Sequence, residues 1–211
     1  TEKPNALVVY PTYDINGEYE GAFRTPEALK LFEFIRERYD VKMVVASSEE
    51  EVYGALASGP RFDFGMFSGH GSFYSLTLGM TGPPWISDPA TRTMRTLESH
   101  TIDTTDLELA SLFNNFSEDA IIFLNSCSTA EGGDDLSNLA NHMASFAMGR
   151  KVIASKVPFS ASEVKIDPKK KYPFDALIIV NDIDQTYVAT GATGIFLDSS
   201  LTFFVLDSKL F

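Results

Sequence analysis

Cys127 is the single cysteine in 211 residues, and it closes a stretch in which an apolar run, Ala120-Ile-Ile-Phe-Leu124, gives way to Asn125-Ser126. A thiol attacks a carbonyl carbon as the thiolate, and with an ordinary pKa of about 8.5 it is only a few per cent ionised at neutral pH, so a base must stand beside it. The chain offers one where the sequence has the same build: Phe62-Asp-Phe-Gly-Met-Phe67 runs into Ser68-Gly-His-Gly-Ser72. His70 is the side chain suited to take a proton near neutral pH. Gly71, lacking a side chain, lets backbone approach a substrate closely. The amides of Gly71 and Cys127 are then candidates to hold a developing oxyanion.

Both motifs need strands to position them. Ile121 to Leu124 lacks alternation, is rich in β-branched and aromatic residues and is too short for a helix, which predicts a strand buried on both faces. Cys127 then sits at the C-terminal end of a parallel strand, where open α/β sheets place their ligands. If the strand before His70 is its neighbour, the two side chains emerge together.

The rest of the chain reads as alternating strands and helices. Ala6–Tyr10 between two prolines predicts a first strand, Thr25-Pro26 a capped helix start, Val41–Ala46 a second strand, and Ser47-Ser48 the cap of a second helix that Gly59-Pro60 ends. Such alternation builds a parallel sheet through right-handed crossovers. Phe73–Met80 alternates like a small hairpin, residues 81–105 read as a loop or insertion, and Thr105-Asp106 as the cap of a helix over 107–116. Beyond Cys127 come a flexible acidic loop at 131–135, a helix ending at Gly149, the strand Lys151–Ser155, and a Lys-rich exposed linker over 165–173. That linker, with its three consecutive lysines, is a minority candidate for self-cleavage. The segment 174–211 reads as strands at 176–180, 186–190, 194–198 and 201–206.

Composition bounds the function. At 23.3 kDa and 44% hydrophobic residues the chain predicts one well-buried domain over residues 1–211. A formal charge of -12 argues against nucleic acid or an anionic membrane as partner and leaves cationic partners open. One cysteine forms no internal disulfide and the start lacks a signal-peptide pattern, so a cytoplasmic, reducing compartment is expected. A chain that begins without Met and ends on Leu210-Phe211 reads as an excised domain. Spacing removes other cysteine chemistries: a tyrosine-phosphatase loop needs Arg where Gly133 stands, and His100 and His142 have no metal-ligand spacing with His70, so neither metal nor cofactor is expected. His100 reads as a solvated loop residue and His142 as a helix-face residue. Histidine ahead of cysteine is the reverse of the papain order; a histidine roughly 50 residues upstream is the caspase arrangement.

The motifs Ser68-Gly-His-Gly-Ser72 and Leu124-Asn-Ser-Cys-Ser-Thr-Ala130, each after a strand and in this order, resemble those of clan CD cysteine peptidases, the group of caspases, metacaspases, legumain, gingipain, clostripain, separase and the CHAT-domain proteases. CHAT domains are most similar, through Cys127-Ser-Thr-Ala130, the helix after it and Val152-Ile-Ala-Ser155. The resemblance spans about residues 62–162 and implies a three-layer α/β sandwich and a cysteine endopeptidase working through an acyl-enzyme, with His70 as base and acid, Cys127 as nucleophile, and Gly71 with Cys127 as oxyanion donors. It implies a protein or peptide substrate and a regulatory partner or activating ligand. It also places Asp14, Asn125, Ser155 and Lys156 around the pocket for the residue before the cleaved bond, Asp14 favouring a basic residue and Lys156 an acidic one. The caspase Gln-Ala-Cys-x-Gly box is absent, so aspartate specificity is not implied, and 174–211 has no assigned counterpart. Two other classes fit the same residues: a non-catalytic or latent scaffold domain, and a cysteine-dependent acyltransferase or amidase.

Overall fold

The computed structural model describes residues 2–12, 25–78, 100–167, 169 and 176–190. Their organising element is a six-stranded sheet built from β1 (Asn5–Pro11), β2 (Asp40–Ala46), β3 (Phe62–Ser68), β7 (Phe116–Asn125), β8 (Lys151–Ser155) and β12 (Thr186–Thr190), in the order β12-β8-β7-β3-β1-β2. Five of these strands are mutually parallel, and β12 closes the edge antiparallel to β8. The chain reverses its direction of travel between β1 and β3, one strand away from the β3–β7 junction.

Alternate residues of each strand feed two cores. Leu7, Val9, Ile122, Leu124, Val152 and Ala154 pack with helices α2 (Glu49–Ser58), α3 (Leu109–Leu112) and α4 (Leu139–Phe146). Ala6, Val8, Phe64, Met66, Ile121 and Phe123 face the other way, against Leu31 and Ile35 of α1 (Pro26–Arg38) and against Ala176 and Ile178. The fold is thus α/β in three layers with helices on both faces. The second face also carries a small antiparallel sheet of β9 (Val164–Ile166), β10 (Ala176–Val180) and β11 (Ile183–Asp184). Gly65 makes room within β3: a Cβ there would lie 2.8 Å from the Phe116 ring.

Local chemistry follows the sequence in most places. Thr25 accepts the Ala28 N–H and Pro26 opens α1. At α2, Ser48 stands in the cap position without a side-chain bond, and Glu51 does the work instead, accepting from Ser47 N at 2.6 Å. Of the hairpin expected over Phe73–Met80, the described part holds one strand, β5 (Ser75–Thr77), and its partner on one side is β4 (His70–Gly71), ahead of that stretch. Its other partner is β6 (Thr101–Asp103), inside the stretch expected to be loop. The helix expected over 107–116 is one four-residue turn, because Phe113–Asn115 tightens to a 3₁₀ turn and Phe116 already starts β7. The exposed linker expected over 165–173 opens as strand β9. Residues 79–99, and the strands expected at 194–198 and 201–206, lie outside the described residues.

Asp106 does not cap a helix. Its carboxylate accepts the Asp103 N–H at 2.7 Å, and it is hydrogen-bonded to the carboxyl group of Glu49. Two carboxyls can bond each other only while one keeps a proton. Burial, aided by the charges of Asp103 and Glu49, pushes Asp106 up to about 7, although the Asp103 N–H works in the opposite direction. Burial raises Glu49 as well, and Tyr53 Oη donates to Glu49 Oε2 at 3.3 Å. The folded protein therefore holds a proton that the unfolded chain releases above its ordinary value of 3.8. The stabilisation is complete below that value and is lost as pH rises through about 7. The thermal midpoint of the native chain should fall between about pH 5 and pH 8 by more than that of Asp106→Asn, which keeps the polar contacts and cannot ionise. Equal slopes in the two proteins would refute the shared proton.

Candidate active site

The β3–β7 ladder decides where the chemistry-bearing residues emerge. Phe67 pairs with Leu124 and Ser68 with Asn125, so both strands leave the sheet at the same height. Asn125 Nδ2 donates to Ser68 Oγ at 3.1 Å and ties the exits together. Two residues beyond each tie stand His70 and Cys127. His70 and Gly71 then enter the small sheet β4-β5-β6, with His70 opposite Thr77 and Gly71 opposite Leu76.

Gly71 is where the two motifs touch. A Cβ on it would lie 2.2 Å from the carbonyl oxygen of Cys127, 2.2 Å from Ser126 Oγ and 3.0 Å from Cys127 N. No side chain fits there, so glycine allows the histidine-bearing strand to lie on the cysteine-bearing turn. Ser126 is fully buried at this contact, and its hydroxyl has no hydrogen-bond partner among the described residues. Unmet donors of this kind are rare in folded chains and call for a partner.

The thiol meets a third segment, the loop after β8. Phe159 N donates to Cys127 Sγ at 3.4 Å, and Sγ donates to Phe159 O at 3.5 Å. The same loop holds the cysteine turn through Ser128 N to Val157 O at 3.2 Å and Ala130 N to Ser155 O at 2.9 Å. Ser128 has φ 56, left-handed backbone that costs a non-glycine residue of order 1 kcal/mol and persists where surrounding bonds impose it.

Three of the four expected pocket residues lie among the described residues. Asn125 lies on the junction, with its amide engaged by Ser68. Ser155 is fully buried, and its hydroxyl bridges Val157 N and O, shaping the exit loop from within. Lys156 has its N–H on Gln185 O, and its charge faces Asp184, whose pKa is lowered mainly by Thr186 hydrogen bonds. Asp14 lies outside the described residues. His100 is bonded to Ser47 O at 2.5 Å rather than solvated. Half-buried His142 stacks edge-on against Phe146 and is held below its ordinary pKa by burial. Among the described residues no group of three or more His, Cys, Asp or Glu side chains is arranged to hold a metal.

The acidic loop, expected to be flexible, is tied down. Asn138 and Asn141 donate side-chain N–H groups to Gly133 O, each at 2.9 Å. Tyr187 Oη lies 2.6 Å from both Asp134 Oδ1 and Asn141 Oδ1. Both amide hydrogens of Asn141 go to carbonyls, so the phenol supplies the hydrogen to two acceptors, and burial together with Asp134 raises its pKa. Sequence reasoning missed this anchor, and with it Phe159 and Ser126. It also missed Phe73 and Tyr74, an exposed edge-to-face pair 5.0 Å apart in the turn between β4 and β5. Alternation in 73–80 was the available sign that this turn belongs to a hairpin anchored on His70.

No protein-family model matches the chain, and none of the curated proteins matches its sequence. No helix among the described residues is long and apolar enough to cross a membrane.

Gly71→Ala should separate the two motifs, since its methyl meets backbone and a fully buried hydroxyl rather than a yielding side-chain end. The expected loss is about 1–3 kcal/mol of stability, read by urea unfolding. The rate of Cys127 alkylation should also change in the folded variant. Unchanged stability and unchanged alkylation would show that the two backbones do not pack as described.

Proposed function

We propose that the chain is a cysteine endopeptidase of the caspase-like, CHAT-related kind, hydrolysing peptide bonds with Cys127 as nucleophile and His70 as base and acid. The observation that carries this reading is the junction itself: neighbouring parallel strands in register, with Gly71 packed on the Ser126–Cys127 peptide. In the reaction, His70 takes the thiol proton and the thiolate bonds to the scissile carbonyl carbon. The carbonyl electrons move onto oxygen, which the Gly71 and Cys127 amides receive. The C–N bond breaks as His70 returns the proton to the leaving amine. Water, deprotonated by His70, then attacks the thioester and frees an acid and the thiol. Asp14 and the charge of -12 favour a basic residue before the cleaved bond.

One observation favours a second reading, a latent or purely binding domain: the thiol is already clasped by the Phe159 backbone. Substrate must displace that clasp to reach sulfur, which is the kind of gating that loops impose.

Peptidyl acyloxymethyl ketones carrying Arg, Lys, Leu, Asp or Asn beside the warhead distinguish the two. The peptidase reading expects modification at Cys127, read by intact mass, fastest with Arg or Lys and slower by roughly 10²-fold or more in His70→Ala. A folded protein that no probe modifies would overturn it in favour of the latent domain. Acyl transfer to an added amine without peptide cleavage would move the assignment to an acyltransferase.

A further inference from the structure

The clasp on the thiol has a redox consequence that is independent of any peptide substrate. We propose that Cys127 and the backbone nitrogen of Phe159 form a reversible sulfenamide cross-link when a hydroperoxide oxidises the thiol. Four observations converge on this pair. Phe159 N is 3.4 Å from Sγ with its N–H directed at the sulfur. Cys127 is half-buried, so a small peroxide can reach it, and the chain has no second cysteine to resolve an oxidised sulfur as a disulfide. The nitrogen is held in reach from both sides of the junction, by Ser128 N on Val157 O, Ala130 N on Ser155 O and the Ser155 hydroxyl on Val157. Finally, the residue before Cys127 carries the fully buried Ser126 hydroxyl, unpartnered among the described residues and seated against Gly71.

The chemistry balances in two steps. The Cys127 thiolate attacks the near oxygen of the hydroperoxide; the O–O bond breaks, sulfur is oxidised to the sulfenic acid, and the peroxide is reduced to water or an alcohol. Phe159 N then bonds to Sγ, the S–O bond breaks, and the departing hydroxide takes the amide proton away as water. Residues 156–160 are half-buried or exposed, so this loop can close the remaining gap without opening the core. An added thiol attacks the sulfur, returns a proton to the Phe159 amide and leaves a mixed disulfide, which a second thiol reduces to Cys127. The cross-link thus parks the sulfur short of sulfinic and sulfonic acid, the irreversible rungs.

The test uses the native chain, dilute hydrogen peroxide and mass spectrometry without reductant. The expected product is about 2 Da lighter than the reduced chain and is restored by dithiothreitol. Its digest should contain one peptide pair joined between Cys127 and Phe159. Phe159→Ala keeps the N–H and should give the same product. Phe159→Pro removes the N–H and should stop at a species about 16 Da heavier that dimedone traps and excess peroxide carries onward. If the native chain yields only oxygen adducts, or if the lighter species joins Cys127 to another nitrogen such as that of Ser128, the proposal is overturned, even where Phe159→Pro fails to fold. Loss of peptidase activity plays no part in this readout, so the cross-link and the peptidase reading can fail separately.

Discussion

The parallel pairing of β3 with β7 is the constraint on which the rest depends. Both strands are buried at their centres, and their side chains serve two cores at once, Ile122 and Leu124 on one side and Ile121 and Phe123 on the other. Burying each such side chain is worth about 1.5–3 kcal/mol. A slip of one residue along the ladder would exchange the two faces throughout the strand, so register is strongly specified. The exits of β3 and β7 inherit that register. Their coincidence at Ser68 and Asn125 costs the loops nothing, since the core has already fixed it.

Around that fixed junction the chain places backbone rather than charged side chains. Gly71 brings a main chain against the Cys127 peptide, and the exit loop of β8 brings another against the sulfur. Main-chain donors suit such a site because they hold position without rotamer entropy and carry no formal charge to desolvate. The left-handed Ser128 between them follows: the turn must reverse within two residues to meet both. Cys127 is thereby held between two main-chain segments, one from each neighbouring loop.

Much of this was legible beforehand, for identifiable reasons. Apolar runs without alternation marked β1, β3, β7 and β8, and a small-residue exit after each of β3 and β7 marked the candidate site. Thr25-Pro26 marked its helix because capping is local chemistry. What stayed hidden depended on partners far along the chain. Asp106 reads as a cap until the half-buried Glu49 carboxyl is seen beside it. The acidic loop reads as mobile until Tyr187, 53 residues from Asp134, is found bonded to it. The resemblance that sets Ser155 beside the pocket says nothing of its hydroxyl, which bonds Val157 two residues on. Nothing in the spacing of Phe159 announces that its amide meets the thiol, because a backbone donor leaves no mark on residue type.

The two halves of the candidate site hang from different bodies. Cys127 is suspended from the central sheet, whereas His70 and Gly71 belong to the separate sheet of three short strands β4, β5 and β6 that follows the exit of β3. Gly71, Leu76 and Ile102 bind those short strands to the core, whereas the exposed turn residues Phe73 and Tyr74 can change and shift the histidine's surroundings with little effect on the scaffold below. For a lineage of such domains, the inexpensive way to vary the histidine half of the candidate site runs through that exposed turn, where a stability screen would notice little.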